Sequence, residues 1–284
     1  MIIEDEELAE HYLMNVGYYR LVGYWWPMQS NKVTHSFKPG SKFENVVDLY
    51  NFDRELRLLV FGVIERIEIG FRARLNYHIC SEASPWWFED ASIFKNPTRH
   101  QNTLDSIDNE LSRSREPFIL GHFEKYHQDT RRPPAWKTIE IASFGNVSKL
   151  YTNLSPKIQS KDIVAKELGT VNHTYLPSWL QSFSQIRNIC AHHGRLWNKN
   201  LPGQPKILPQ PPYCWIKNLP TGKEKHFLYL QLCCMKYLLN IISPGNHFTS
   251  KLLDLLLKYP SVDPIAMGIK PNWKDESLWV ANRV

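Results

Sequence analysis

Residues 52–75 of this 284-residue chain read FDRELRLLVFGVIERIEIGFRARL. Apolar side chains recur here at spacings of three and four residues, the period of an amphipathic α-helix. They are Leu56, Val60, Val63, Ile67, Phe71 and Leu75. The neighbouring sequence extends the predicted helix over residues 43–80. Glu65, Glu68 and Arg72 are predicted on the opposite face, with Glu68 and Arg72 one turn apart.

Helical composition continues along most of the chain. Further helices are predicted at residues 4–16, 102–114, 118–128, 135–154, 157–168, 177–198, 223–242 and 248–258. No apolar–polar alternation persists long enough to predict a sheet. The sequence therefore predicts an all-α fold, with peripheral helices and loops around a helical bundle. Its expected parts are an N-terminal helical and aromatic segment packed on the core (1–42), a helical domain (43–258) and an irregular C-terminal tail (259–284).

Composition limits the classes of protein to consider. Hydrophobic residues make up 43% of the chain, enough for a sizeable core, and the net charge is +6. That charge suits a nucleic-acid partner, although many other proteins carry as much. The five cysteines form no C-x-x-C pair and are odd in number, which disfavours a zinc ribbon or a disulfide framework. Residues 1–7 are acidic and residues 227–242 are short and interrupted by polar groups, so we expect a cytoplasmic protein without a membrane partner.

Candidate chemistry is concentrated in residues 187–198, RNICAHHGRLWN. On one continuous helix, the apolar stripe would contain Trp179, Phe183, Ile186, Cys190, His193 and Trp197. The roughly opposite arc would contain Arg187, Asn188, Ala191, His192 and Arg195. This separation predicts two cations and one imidazole facing outward around a small residue, with His193 turned towards the core.

RNA cleavage requires groups of these types. The ribose 2′-hydroxyl must lose a proton to attack phosphorus, and the leaving 5′-oxygen must gain one; His192 can do either near neutral pH. Arg187 can hold the extra negative charge of the phosphorane, and Asn188 can orient the phosphate or the imidazole. This chemistry needs no metal or cofactor. The alternative is that an arginine and a histidine share one helix by chance.

Four ordered blocks make the chain recognisable. They are GYYRLVGYW at 17–25, FDRELR at 52–57 with ERIE at 65–68, SFGNVSKLY at 143–151, and the 187–198 segment. Together they resemble the Abi-like (AbiD/AbiF) abortive-infection family of the HEPN superfamily. Members of that family usually carry additional residues before the segment that begins at Ile2, so this chain resembles a shortened form.

The resemblance implies a HEPN-like helical core and an RNA-cleaving site shared by two subunits of a homodimer. Arg187 and His192 would be catalytic, with Asn188 as their polar neighbour, and His193 would match the family's His-His pair. It further implies a toxin-type role in antiviral defence, with an antitoxin or a noncoding RNA as a possible regulator.

Other residues have both a functional and a structural interpretation. Glu65, Glu68 and Arg72 either line the cleft or form a solvated helix face, and Lys149 either binds phosphate or is a plain surface cation. Residues 18–26 are expected to pack in the core rather than to stack on bases, and Cys190 is expected to fill space. A non-catalytic RNA-binding module and a structural dimerisation protein remain as alternatives to the nuclease.

Overall fold

The computed structural model describes residues 1–280, and the chain is all-α. The helices are α1 (Glu6–Asn15), α2 (Tyr18–Trp25), α3 (Phe43–Glu82), α4 (Pro97–Arg113), α5 (Pro117–Lys125), α6 (Ala135–Ile141), α7 (Phe144–Asn153), α8 (Gln159–Glu167), α9 (Leu176–Ala191), α10 (Leu228–Ile242), α11 (Phe248–Lys258) and α12 (Ser277–Val280). This confirms the predicted fold class.

Helix α3 is the axis of the fold. Its 40 residues span about 60 Å. The predicted apolar positions are all buried along it, from Leu56 to Leu75. Helices α8, α9, α10 and α11 pack against α3, and α10 is itself almost entirely buried. Burial of this continuous apolar stripe is the main driving force that holds the helices together.

Three predicted helices are shorter or divided. The helix predicted over 223–242 begins at Leu228, and Gly222–His226 before it forms a 3-10 turn. The segment predicted as one helix over 135–154 contains α6 and α7, because the chain turns at Ala142 and Ser143. The Ser143 side chain accepts a hydrogen bond from the amide of Asn146 and so caps α7. Helix α9 begins as predicted but ends at Ala191, seven residues before Asn198. This early end decides the geometry of the candidate site.

Two further segments depart from the prediction of irregular structure. Residues 29–41 contain a small antiparallel hairpin of β1 (Gln29–Asn31) and β2 (Ser36–Phe37), too short to show alternation in sequence. The chain after α11 includes two 3-10 turns and α12. It buries Trp273 against Trp279, which stacks on Tyr229 of α10. The predicted tail also includes residues 281–284, which lie outside the described residues. Within residues 1–280 no helix combines the length and the apolar composition needed to cross a bilayer.

Candidate functional site

Helix α9 ends in a Schellman turn. The amide of Gly194 donates to the carbonyl of Ile189 at 2.8 Å, and the amide of His193 donates to the carbonyl of Cys190 at 3.1 Å. These two bonds place His192 at the C-cap and His193 at the following position, where φ is +56°. Glycine usually occupies that left-handed position, so the backbone at His193 is strained.

Because α9 ends at Ala191, part of the predicted arrangement of side chains around one continuous helix is wrong. His193 is exposed and does not lie on the buried stripe. Arg195 does not share the outward arc, because its guanidinium donates to the carbonyl of Gly23 at 2.9 Å. Trp197 is buried as predicted, but it enters the core from the loop rather than from α9. Any role of Arg195 or His193 in RNA binding stays a prediction.

The loop after the helix is anchored by a buried cluster that the sequence analysis did not assign to the site. The Asp53 carboxylate accepts hydrogen bonds from the amides of Leu196 at 3.0 Å and Trp197 at 2.6 Å. It also accepts the Tyr24 hydroxyl at 2.7 Å and forms an ion pair with Arg57. Burial raises the pKa of the Asp53 carboxyl, while Arg57 and these donors act in the opposite direction.

A second anchor lies outside that cluster. The guanidinium of Arg20 donates to the carbonyl of His193 at 2.7 Å. Arg20 belongs to the first sequence block, as Tyr24 does, and Asp53 and Arg57 belong to the second. The signal that could have identified them was therefore their presence in those blocks, although nothing in their spacing predicts contact with residues 193–197.

Three of the predicted site residues lie together at the end of α9. Asn188 and His192 are exposed, and the His192 amide donates to the Asn188 carbonyl at 3.0 Å. The Arg187 guanidinium donates to the side-chain oxygen of Asn188 at 3.3 Å. Arg187 and His192 are five residues apart, about 7.5 Å along the helix axis. Neither the imidazole of His192 nor that of His193 has a hydrogen-bond partner within residues 1–280, so the His192 ring is free to contact a ligand.

Arg187 also lines a pocket of about 330 Å³ between α3, α6 and α9, here called the Arg187 pocket. Glu65, Glu68, Arg72 and Glu140 contribute to its walls. The structure thus brings three of the predicted supporting residues next to Arg187. Arg72 is an exception to its predicted placement: it is buried, because α6 covers this side of α3, and it pairs with Glu68 and the carbonyl of Ile139.

Charge within the Arg187 pocket is unfavourable for a phosphate. Three carboxylates face two guanidiniums, and Arg72 is already neutralised by its ion pair with Glu68. The side chains of Glu65 and Glu140 form no ion pair or hydrogen bond within the described residues. The carboxylates of the pocket therefore attract the Arg187 guanidinium, which also bonds the side chain of Asn188.

Lys149 lies elsewhere. It is exposed on α7 and lines a larger pocket between α4, α7 and α9 that does not include Arg187. Its ammonium donates to the side-chain oxygen of Asn146 at 3.3 Å.

Two expectations about packing have different outcomes. Cys190 is buried as expected, and burial raises the pKa of its thiol to about 12, so it is not a thiolate nucleophile near neutral pH. In the aromatic segment, Tyr24 and Trp25 are buried, but Tyr18 and Tyr19 are exposed. Trp26, which follows α2, is exposed as well. The prediction of core packing is therefore wrong for these three aromatic residues, because α2 buries only one of its faces. No group of three or more His, Cys, Asp or Glu residues within residues 1–280 is arranged to hold a metal ion.

These observations define a class of protein. It is an all-α chain that carries a cluster of Arg, Asn and His side chains at the end of a helix. A family model described as Abi-like protein matches residues 11–198, about two thirds of the chain, and the chain belongs to that family. The match contains all four sequence blocks and ends directly after the loop that Asp53 anchors. No curated protein and no solved structure matches the chain.

Proposed function

We propose that this protein is a metal-independent endoribonuclease of the HEPN type that acts in phage defence by abortive infection. It cleaves RNA by attack of a ribose 2′-hydroxyl on the adjacent phosphorus, leaving a cyclic phosphate and a free 5′-hydroxyl. One observation carries the proposal: α9 ends at a Schellman turn that leaves Asn188 and His192 exposed next to Arg187, while buried bonds to Asp53 fix the loop that follows.

Each residue of the cluster has a defined task in this reaction. The His192 imidazole accepts the proton of the attacking 2′-hydroxyl or donates one to the departing 5′-oxygen. The Arg187 guanidinium holds the phosphorane oxygens through two parallel hydrogen bonds. Asn188 accepts a hydrogen bond from the Arg187 guanidinium and so restrains its position. Glu65 and Glu140 support the guanidinium electrostatically from the pocket.

One imidazole cannot both remove and deliver a proton in the same step, so the proposal includes a second subunit. Leu58, Phe61 and Ile69 are exposed on one face of α3, and Phe61 and Ile69 also line the Arg187 pocket. Burial of this apolar face in a symmetric dimer would bring a second His192 towards the first. The family resemblance supports the same arrangement.

The test is cleavage of labelled RNA by purified protein in the presence of EDTA. We expect the wild-type chain to produce fragments that end in a cyclic phosphate. His192→Ala should lower the rate by about 10² to 10⁴. His193→Gly is the matched control, because it removes the adjacent exposed imidazole and glycine accepts the left-handed backbone there; its rate at saturating RNA should stay close to that of the wild type. Equal rates for His192→Ala and wild type, or loss of wild-type cleavage in EDTA, would contradict the proposal. Tight RNA binding without cleavage would indicate a non-catalytic RNA-binding module.

A further inference from the structure

A second concave surface lies on the other side of α9 from the Arg187 pocket. It has a volume of about 820 Å³ and is formed by α4, α7 and α9, together with Lys95, which precedes the cap residue of α4. Its lining includes the cations Lys95, Arg99 and Lys149, and we call it the basic pocket. Apart from Gly145, every lining residue is polar or cationic, and none is an aspartate or a glutamate.

The three cations of the basic pocket are not neutralised. Lys95, Arg99 and Lys149 are exposed, and none forms an ion pair with a carboxylate in the part of the chain that the structure describes. Lys95 also acts on a buried neighbour: burial and, secondarily, the charge of Lys95 lower the pKa of the Lys161 ammonium to about 7. An anion that enters this pocket therefore meets uncompensated positive charge.

The pocket is held in shape by hydrogen bonds between α7 and the start of α4. The largely buried Asn153 of α7 exchanges two bonds with the backbone of Asn96, at 3.0 Å and 2.8 Å. The Asn96 side chain in turn caps α4 by accepting from the amide of Arg99 at 2.8 Å. This clamp fixes the start of α4 against α7, and so it sets Lys95 and Arg99 on the same pocket as Lys149.

The lining chemistry identifies the occupant. No aromatic or large apolar side chain lines the basic pocket, so it offers neither a stacking platform for bases nor a site for an apolar cofactor. Ammonium and guanidinium groups contact phosphates, and the amides and hydroxyls of Asn102, Gln181 and Ser184 can bond ribose 2′-hydroxyls. Such contacts hold a sugar–phosphate backbone without reading its sequence.

Helix α9 connects this pocket to the candidate site. Ser184 and Gln185 line the basic pocket, Asn188 follows one turn later, and His192 lies about 12 Å beyond Ser184 along the axis. We propose that the basic pocket docks the backbone of single-stranded RNA and leads the strand along α9 to His192. This proposal rests on the proposed nuclease function, since it assigns the path of the same substrate.

The experiment measures binding separately from cleavage. A fluorescein-labelled, unstructured 20-nucleotide RNA is titrated in EDTA against the full chain carrying His192→Ala, at several salt concentrations. Lys95→Ala, Arg99→Ala and Lys149→Ala are then combined in that background. The control combines Lys223→Ala, Lys225→Ala and Lys251→Ala, which remove the same charge from residues that line neither pocket.

Loss of three phosphate contacts should weaken binding by about tenfold or more at moderate salt and reduce the slope of log K against log salt by about 2. Lys149→Ala alone should reduce that slope by about 0.7, and the control should change Kd less than twofold. Circular dichroism checks that each variant is folded.

Three results would overturn the inference: no RNA binding by the parent chain, equal binding by the two triple variants, or displacement of the RNA by micromolar ATP, which would indicate a free-nucleotide site. Cleavage by the protein with His192 intact is scored independently. Cleavage together with equal binding by both triple variants rejects only the docking path. Cation-dependent binding without cleavage rejects only the nuclease.

Discussion

The buried carboxylate of Asp53 accepts a 2.6 Å hydrogen bond from the backbone amide of Trp197, 144 residues further along the chain. This bond joins the central helix α3 to the loop that follows His192. Because the Arg20 guanidinium holds the carbonyl of His193 from α2, both sides of the turn are fixed by residues outside the 187–198 segment. The exposed position of His192 therefore depends on the two N-terminal sequence blocks as well as on its own helix.

Removal of that anchor should be costly. In Asp53→Ala the buried guanidinium of Arg57 and the amides of Leu196 and Trp197 lose their partner, so we expect the free energy of unfolding to fall by about 3–5 kcal/mol. Chemical denaturation measures the change. Asp254→Asn, an exposed acid on α11, is the control and should be neutral within about 0.5 kcal/mol. A loss for Asp53→Ala no larger than that of the control would show that the cluster does not hold the loop.

The left-handed backbone at His193 predicts a stability difference between two small substitutions. Glycine tolerates a φ of +56° and alanine does not, so His193→Gly should be more stable than His193→Ala by about 1 kcal/mol. Thermal unfolding of the two variants measures this. Both should retain RNA cleavage, because the His193 ring has no catalytic task in the proposal. Equal stability would mean that the turn differs in solution.

Sequence periodicity was sufficient for the long elements and insufficient for the site. Helix α3 was predicted within two residues, because its apolar spacing is sustained over many turns. The end of α9 was missed because Trp197 continues the apolar period while His193, rather than glycine, occupies the turning position. The glycine that usually marks such a turn appears one residue later, as Gly194.

Contacts between distant segments explain the remaining differences. Arg72 was assigned to an exposed face because nothing in the sequence shows that α6 covers it. Lys149 is predicted either to bind phosphate or to be a plain surface cation, and nothing in the sequence shows that it lines a different pocket from Arg187. Nothing in the spacing of residues 52–57 shows that the amide of Leu196 bonds the Asp53 carboxylate. Periodicity reports which face of a helix is buried, but it does not report which helix covers that face.

The requirement for a planar guanidinium can be tested with its charge preserved. Arg187→Lys keeps one positive charge but loses the paired hydrogen bonds to the phosphorane, so cleavage should fall by about 10² to 10³ while RNA affinity changes little. Single-turnover cleavage and RNA titration separate the two effects. Arg66→Lys on the exposed side of α3 is the control. An Arg187→Lys variant as fast as the wild type would remove Arg187 from the catalytic cluster.

The exposed apolar face of α3 predicts a dimer-dependent activity. Ile69 is 61% exposed at the Arg187 pocket, and Ile69→Arg should place a charge in the proposed interface without disturbing the core. Light scattering should then show a monomer, and cleavage should be lost at concentrations where the wild type is dimeric. Leu257→Arg, at a residue 76% exposed on α11, should leave both unchanged. A monomeric Ile69→Arg protein with full activity would contradict the shared site.

Buried Lys161 predicts a pH dependence of stability beneath the basic pocket. Its ammonium donates to the carbonyls of Thr152 and Leu154, yet burial and the adjacent Lys95 lower its pKa to about 7, below that of a lysine in the unfolded chain. Between about pH 7 and pH 10 the unfolded chain therefore binds one proton more at this residue, and stability rises with pH.

Relative to Lys161→Met, the wild-type free energy of unfolding should increase across this range, by at most about 1.4 kcal/mol per pH unit. Urea denaturation of both proteins at each pH measures the difference, which cancels the titration of the shared cysteines and tyrosines. Parallel pH profiles for the two proteins would contradict the lowered pKa of Lys161 and would mean that its ammonium is not desolvated in the folded chain.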